Sequence, residues 1–140
     1  MFQISEATAI ALHSVVYISS KEMASLKDIS NRFDVSSNHL SKVLQKLVKC
    51  GYLISIKGPT GGFKIADGKE HTSFLEIYEA IEGKNWKKSC IFSSKQGRYC
   101  NDCIMGNLIN EVNEKFENYM KEKKISNHNL LSEDIKYNNL

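Results

Sequence analysis

The chain has 140 residues and an apolar content of 41%, which suffices for one domain with a core of its own. No stretch approaches the run of about 18 apolar residues that a membrane span needs, and the N-terminus lacks the basic segment and cleavage site of a secretory signal. We therefore expect a cytoplasmic protein without a membrane partner, in which the four cysteines are not disulfide-bonded.

The net charge of +3 is unevenly distributed along the chain. Residues 1–66 carry eight Lys or Arg against four Asp or Glu, whereas residues 67–140 carry eleven against twelve. A basic N-terminal half is expected where that half meets a polyanion such as a nucleic acid, although many proteins with such a charge bind none.

Three helical patterns open the chain. Residues 6–19 are apolar almost all round, which predicts a buried helix. Ser25 and Asp28 have the spacing of a capping box at the start of a short second helix. A third helix follows over residues 36–49, with apolar residues on one face and Gly51 placed to end it. Two short helices joined by a tight turn indicate a helix-turn-helix.

The side of the third helix opposite its apolar stripe is polar. Its amide, hydroxyl and ammonium groups are able to donate hydrogen bonds to phosphates and base edges, although an ordinary solvated helix surface would show the same residue types. These candidate DNA contacts are Ser37, Asn38, His39, Ser41, Lys42, Gln45 and Lys46.

A β-hairpin is predicted directly after this helix. Two β-rich runs, residues 52–56 and 63–65, flank a loop that holds three glycines and the only proline of the chain. A plain surface hairpin would give the same signals, but the position directly after a helix-turn-helix favours the wing of a winged helix.

Two more helices are predicted around a cysteine-bearing loop. Ser73 and Glu76 have the spacing of a second capping box, and Gly83 is placed to end that helix. The last helical pattern, residues 104–124, has a stripe with the 4-3-4-3 spacing of a helix that packs on another helix, either within the chain or, as we favour, in a homodimer. The stripe consists of Met105, Ile109, Val112, Phe116 and Tyr119.

These patterns divide the chain into four parts. We expect a winged helix-turn-helix over residues 1–83, a cysteine-rich loop over residues 84–103 and a dimerisation helix over residues 104–124. The polar residues 125–140 are assigned no structure. The predicted fold class is mainly α with a small β-hairpin wing.

Three of the four cysteines, Cys90, Cys100 and Cys103, fall in the loop. Thiolates are soft ligands that suit zinc or an iron–sulfur cluster, and the same residues would also serve as a thiol switch. The pair Cys100 and Cys103 also has the spacing of a dithiol redox enzyme, but such enzymes place it in a βαβ unit that this sequence lacks. Cys50 is expected to be a small buried residue, and Trp86 a packing anchor.

Four segments together resemble one family of bacterial winged-helix regulators, which includes the iron–sulfur cluster regulator IscR, the nitric-oxide-sensing repressor NsrR and the cysteine-metabolism repressor CymR. They are the opening "TAIALHSVVYIS", the helix-turn-helix "LKDISNRFDVSSNHLSKVLQKLVKCGYL", the wing "SIKGPTGGFKIA" and the helix "SFLEIYEAIEG". The resemblance covers roughly residues 1–124 and is most specific at the wing. It implies a homodimer that binds a palindromic double-stranded DNA operator.

The resemblance also implies how the chain would meet DNA. The leading residues of the third helix would enter the major groove, and the wing tip would enter the adjacent minor groove. Many members of the family carry Arg where this chain has Lys57, and lysine lacks the planar fork that suits a narrow minor groove. The wing-tip residues are Lys57, Gly58, Thr60 and Gly61.

Cluster-binding members place three cysteines in the loop between these same two helices. This implies that Cys90, Cys100 and Cys103 hold a [2Fe–2S] or [4Fe–4S] cluster. Their C-x9-C-x2-C spacing is less even than in those members, so zinc, or no metal, is the alternative. His13 in the first helix is a candidate fourth ligand or a packed helix histidine, and Ala9 stands where some members carry an acid.

The sequence thus predicts a transcription regulator and not an enzyme. Repression is the commoner mode for such a design. The affinity for DNA would depend on the state of the loop, whether that state is an iron–sulfur cluster, a bound metal or the redox state of the thiols.

Overall fold

The structure, a computed structural model, describes residues 2–87 and 103–127. Within these ranges the chain forms helices α1 to α5, an antiparallel hairpin of strands β1 and β2, and a short 3-10 turn, which confirms the predicted fold class. No helix in these ranges is long and apolar enough to cross a bilayer. The elements are α1 (Glu6–Lys21), α2 (Leu26–Phe33), α3 (Ser37–Lys49), β1 (Leu53–Ile56), β2 (Gly62–Ile65), α4 (Phe74–Glu82), α5 (Leu108–Glu122) and the 3-10 turn (Ile125–Asn127).

Helix α1 contacts α3, α4, β2 and the 3-10 turn. Its residues Ala11, Val15 and Ile18 are fully buried, as expected for a helix that is apolar almost all round. Leu40 and Leu44 of α3 are fully buried in the same core. Burying a Leu, Ile or Val side chain stabilises a fold by about 1.5 to 3 kcal/mol, so this core fixes which face of α3 points outward.

The helix ends form as the sequence predicts. Ser25 with Asp28, and Ser73 with Glu76, make reciprocal capping boxes at the starts of α2 and α4. At the end of α3, Gly51 adopts a φ of +83°, a conformation that glycine reaches without a steric penalty from a Cβ. This residue turns the chain from α3 into the wing.

The wing is anchored to the connection between α1 and α2. Strands β1 and β2 pair with Leu53 opposite Ile65, and both residues are buried. The amide of Phe63 donates to the carbonyl of Ala24 at 2.8 Å, and the amide of Ala24 donates to the carbonyl of Phe63 at 3.1 Å. The position of the wing therefore depends on backbone hydrogen bonds to a second part of the chain.

Helix α5 is shorter than predicted. It begins at Leu108 instead of residue 104, and residues 104–107 form a turn in which Gly106 adopts a φ of +55°. Asn107 precedes the helix without a side-chain capping hydrogen bond. Met105 therefore lies outside the helix whose stripe it was expected to join.

The predicted stripe of α5 divides between two faces of the helix. Phe116 packs on the same chain, with its ring centroid 5.0 Å from that of Tyr78 and 5.2 Å from that of Trp86, which confirms Trp86 as a packing anchor. Leu108 and Tyr119, about three turns apart along one line of the helix, are 48% and 57% exposed. The helix thus packs on its own chain through Phe116, and it also has an outward apolar line, formed by Leu108 and Tyr119.

The chain beyond α5 returns to the core. The amide of Phe74 donates to the carbonyl of Lys123 at 2.9 Å, and the amide of Ile125 donates to the carbonyl of Thr72 at 3.0 Å. Ile125 is 1% exposed and belongs to the main core, although no structure was expected for residues 125–140.

Candidate nucleic-acid interface and thiol site

The polar face of α3 points outward, as predicted. Because the apolar side of the helix is buried, the polar side chains are left at the surface. Of the predicted contacts, Ser37, Asn38, Lys42, Gln45 and Lys46 are exposed, and His39 and Ser41 are half-buried.

Lys49 was not among the predicted contacts. It lines a shallow surface groove of about 410 Å³ together with Ser41, Lys42, Gln45 and Lys46. Its spacing of seven residues from Lys42 places both ammonium groups on the same side of the helix, and this spacing was a signal available in the sequence.

The turn that precedes α3 is fixed by hydroxyl groups. Ser36 accepts a hydrogen bond from the amide of His39 at 3.2 Å and caps the helix. Ser30 of α2 donates to the carbonyl of Val35 at 2.7 Å. These bonds hold the first turn of α3, which carries Ser37 and Asn38, at a defined angle to α2.

Lys46, which was predicted as a DNA contact, also makes a hydrogen bond within its own chain. Its ammonium donates to the carbonyl of Ile81 at 2.8 Å, in the last turn of α4. The polar face of α3 is therefore joined to the last turn of α4, which precedes the cysteine loop.

The wing tip needs its glycines for steric reasons. Gly58 adopts a φ of +112°. A Cβ on Gly61 would lie 2.0 Å from the carbonyl oxygen of Ile56, so no larger residue fits without moving the backbone. Lys57 and Thr60 are exposed beside them. The tight turn leaves the lysine at the edge of the hairpin, where a nucleic acid can reach it.

A carboxylate joins the end of α4 to the start of α1. Glu82 accepts hydrogen bonds from the hydroxyls of Ser5 and Thr8 and from the amide of Ser5. Burial acts to raise the pKa of Glu82, but these hydrogen bonds, with the charge of Lys46, outweigh it and hold the pKa below its usual value.

A Glu82→Gln variant is expected to be less stable at pH 7 by about 1 kcal/mol, because hydrogen bonds to an ionised acceptor are lost. Since the folded-state pKa of Glu82 is lowered, its stabilisation is present above the unfolded pKa and is lost as the pH falls through the folded value. The free energy of unfolding in urea should therefore differ between wild type and variant at pH 7, and this difference should become smaller below about pH 4. Glu114→Gln, on the exposed side of α5, is the control, and a difference that is constant with pH would contradict the expectation.

Two of the four cysteines, Cys50 and Cys103, lie among the residues that the structure describes. Cys90 and Cys100 lie outside the described residues. Cys103 is exposed and not disulfide-bonded, and the amide of Gly106 donates to its carbonyl at 2.9 Å. Among residues 2–87 and 103–127, no group of three His, Cys, Asp or Glu side chains is placed to hold a metal.

Cys50 was expected to be buried, and this expectation was wrong. Its side chain is exposed because the residue follows the last turn of α3 as the C-cap residue.

His13 is exposed on α1. Its Nδ1 lies 2.8 Å from the carbonyl oxygen of Ala9, and its ring meets the ring of Phe33 edge to face at 5.6 Å. Because a carbonyl oxygen only accepts hydrogen bonds, Nδ1 carries the proton, and in the neutral ring Nε2 keeps its lone pair. This orientation is the one found in histidines that bind a metal through Nε2.

A helix-turn-helix with an anchored hairpin wing defines the class of winged-helix proteins. The chain belongs to the Rrf2 family, whose model is described as an iron-dependent transcriptional regulator and matches residues 4–127. Its relatives are transcriptional regulators and not enzymes, which confirms that prediction.

Curated relatives carry the names that the resemblance suggested. NsrR of Bacillus licheniformis is 29% identical over 101 residues, which cover 70% of this chain and 67% of the relative. IscR of Cereibacter sphaeroides is 38% identical over 64 residues, which cover 46% of this chain and 41% of the relative. The chain thus spans about two fifths to two thirds of the length of these curated relatives, with 53% and 63% for two others.

Solved structures share the fold. CymR, the global cysteine regulator of B. subtilis, superposes with a TM-score of 0.73 at 17% identity, over 89% of this chain and 94% of that one. T. potens IscR gives a TM-score of 0.63 at 19% identity, over 89% of this chain and 84% of that one. At these identities the likeness establishes the winged-helix fold and nothing finer.

Proposed function

We propose that this chain is a cytoplasmic, homodimeric transcription regulator that represses its targets and whose affinity for operator DNA is controlled at Cys90, Cys100 and Cys103. The observation that carries the proposal is the placement of three thiols between α4 and α5, next to a winged helix-turn-helix. The names of the relatives NsrR and IscR support the regulatory part.

The DNA part is supported by the outward face of α3 and by the wing. Hydroxyl and amide groups at the start of α3 suit base edges, and Lys42 and Lys49 suit phosphates. We propose that α3 is the recognition helix, which enters the major groove, and that Lys57, Gly58, Thr60 and Gly61 enter the minor groove. Each subunit would contact one half of a palindromic operator.

The homodimer is supported by the outward apolar line of α5. Leu108 and Tyr119 are exposed on it, and Met105, just before the helix, is 47% exposed. Exposed apolar side chains in line on a helix suit the antiparallel or crossed packing of a second copy.

The donor set suits an iron–sulfur cluster. Cys103 is exposed and free of a disulfide, and thiolates are the ligands that such clusters require. Cys90, Cys100 and Cys103 would hold the group, and His13, with Nε2 available, would supply a fourth ligand. When bound, the cluster supplies iron whose reactivity toward oxidants depends on its exposure to solvent. Zinc or a thiol switch is the second candidate, because Cys100 and Cys103 have the spacing of a zinc or dithiol pair.

The experiment that tests the cofactor is purification of the full chain without oxygen, with visible absorption and assays of iron, sulfide and zinc. A brown protein that absorbs near about 400 nm, with iron and sulfide in matching amounts, would support the cluster. A colourless protein with zinc would favour the second candidate. A protein without metal would leave a thiol switch, to be tested by DNA binding before and after oxidation.

Lys42→Ala is expected to weaken binding to a DNA duplex selected from a random library by the wild-type protein. If Lys42 neutralises one phosphate, the slope of log affinity against log salt concentration should become shallower by about one. Fluorescence anisotropy at four salt concentrations measures this slope. Lys121→Ala is the control, since Lys121 lies on α5 and pairs with Glu117 at 2.8 Å. An unchanged slope in the Lys42 variant would remove this residue from the phosphate contacts.

A further inference from the structure

Lys46 links two elements that are distant in the sequence. Its ammonium donates to the carbonyl of Ile81, 35 residues away, at 2.8 Å. Ile81 lies in the last turn of α4, just before Gly83 and the cysteine loop. The contact is favourable because the last carbonyls of a helix lack intrahelical partners and carry partial negative charge.

The end of α4 is held from a second direction as well. Next to Ile81, Glu82 accepts the hydrogen bonds of Ser5 and Thr8 at the start of α1. The last turn of α4 is therefore tied both to the recognition helix, through Lys46, and to α1, through Glu82. A movement of this turn relative to α1 and α3 would therefore alter the hydrogen bonds of Lys46, of Glu82 or of both.

We infer that Lys46 is a positioning residue that couples the cysteine loop to the recognition helix, instead of a phosphate contact. The inference rests on the proposed function, because it names the route by which the loop would act on DNA affinity. A change in the loop that shifts the last turn of α4 moves the carbonyl of Ile81. Either the hydrogen bond is kept and the part of α3 around Lys46 moves with the carbonyl, or the hydrogen bond breaks and this part of α3 is no longer held to α4.

The alternative role for Lys46 is separable by experiment. An ammonium has three N–H donors, so a bond to Ile81 does not by itself prevent a phosphate contact. A phosphate contact contributes to the salt dependence of DNA binding, whereas a tie within the protein does not. Lys42, one turn earlier on α3 and exposed, serves as the matched residue.

The test compares Lys46→Met, Lys46→Arg and Lys42→Met with wild type. Each protein is prepared with its cysteines intact and with Cys90, Cys100 and Cys103 all replaced by Ser. Anisotropy gives the Kd for the selected duplex at four salt concentrations, and thermal unfolding checks that each protein is folded. The ratio of the Kd values of the two cysteine forms measures the response to the loop. For coupled sites, such ratios are typically about 5 to 150.

Lys46→Met is expected to reduce this ratio to within about twofold of one and to leave the salt slope at its wild-type value. Lys46→Arg keeps an N–H donor and should retain most of the response. Lys42→Met should lose about one from the salt slope and keep the wild-type ratio.

Three results would overturn the inference, and they are distinguishable. A wild-type response in Lys46→Met would show that the loop acts by another route. A salt slope that falls by about one in Lys46→Met, with the response intact, would make Lys46 a phosphate contact. A wild-type ratio near one would mean that the thiols do not control DNA binding, which defeats the proposed function itself and the coupling with it.

Discussion

A Gly62→Ala variant is expected to lose about 3 kcal/mol of unfolding free energy or more, and with it the position of the wing. A Cβ on Gly62 would lie 2.5 Å from the carbonyl oxygen of Ala24 and 2.8 Å from its carbonyl carbon. Both contacts are with backbone, so no side chain can swing aside. Relief requires separation of β2 from residue 24, which breaks the two hydrogen bonds between Ala24 and Phe63. Overpacking costs about 1 to 3 kcal/mol, and each lost bond about 0.5 to 1.5 kcal/mol.

The matched control is Gly68→Ala. Gly68 adopts a φ of +78° but has no heavy atom within 4 Å of a Cβ built on it, so the same substitution carries only the conformational cost of about 1 kcal/mol. Urea unfolding of both variants gives the stability difference, and anisotropy with the selected duplex gives the effect on DNA affinity. We expect Gly62→Ala to bind DNA weakly under conditions where it is still folded, and Gly68→Ala to bind as wild type does. Equal stability losses in the two variants would contradict the close approach of β2 to Ala24.

The local signals in the sequence predict most of the DNA-binding half. Ser25 with Asp28 and Ser73 with Glu76 identify two helix starts, because a capping box satisfies backbone donors within four residues of chain. Gly51 identifies a helix end for the same local reason. The outward face of α3 follows from the period of its apolar residues. Each of these features depends on neighbours in the sequence.

The features that the sequence did not predict depend on contacts between distant residues. The bond between Lys46 and Ile81 requires the docking of α3 on α4, and the buried Ile125 is hydrogen-bonded to Thr72, 53 residues earlier in the chain. Helix α5 was predicted too long because its heptad spacing continues through the turn at Gly106. The same spacing does not reveal which part of the stripe packs on its own chain. The division between Phe116 inside and Tyr119 outside is set by the aromatic cluster around Trp86.

The candidate thiol site illustrates a different limit. Three cysteines in a loop are compatible with several chemistries, since zinc, clusters and redox switches all use thiolates. The resemblance to a known family favours a cluster and leaves zinc, or no metal, as the alternative, while the model of the Rrf2 family is described as an iron-dependent transcriptional regulator. The identity of the cofactor is a property of the assembled ligand set, which spacing in the sequence does not determine.

Cys103→Ser is expected to lose the proposed cofactor and keep the fold. Cys103 is exposed and lies before the start of α5, so a serine at this position opens no cavity in the core. Serine is a poor ligand for iron or zinc in comparison with a thiolate. Mutation of residues that only support a ligand already costs about 10- to 100-fold in metal affinity, and loss of a ligand should cost at least as much. Iron and sulfide, or zinc, should therefore fall to below about a tenth of the wild-type content.

Cys50→Ser is the matched control, because Cys50 is also an exposed free thiol but lies at the end of α3. With both variants purified without oxygen, Cys50→Ser should keep the wild-type metal content and visible spectrum, whereas Cys103→Ser should lose both. Size-exclusion chromatography with light scattering should show the same oligomer for both, since the outward line of α5 is unchanged. Equal metal contents in the two variants would exclude Cys103 as a ligand. Dissociation of Cys103→Ser alone would assign the loop to the dimer contact, because a residue that only binds a cofactor does not hold two subunits together.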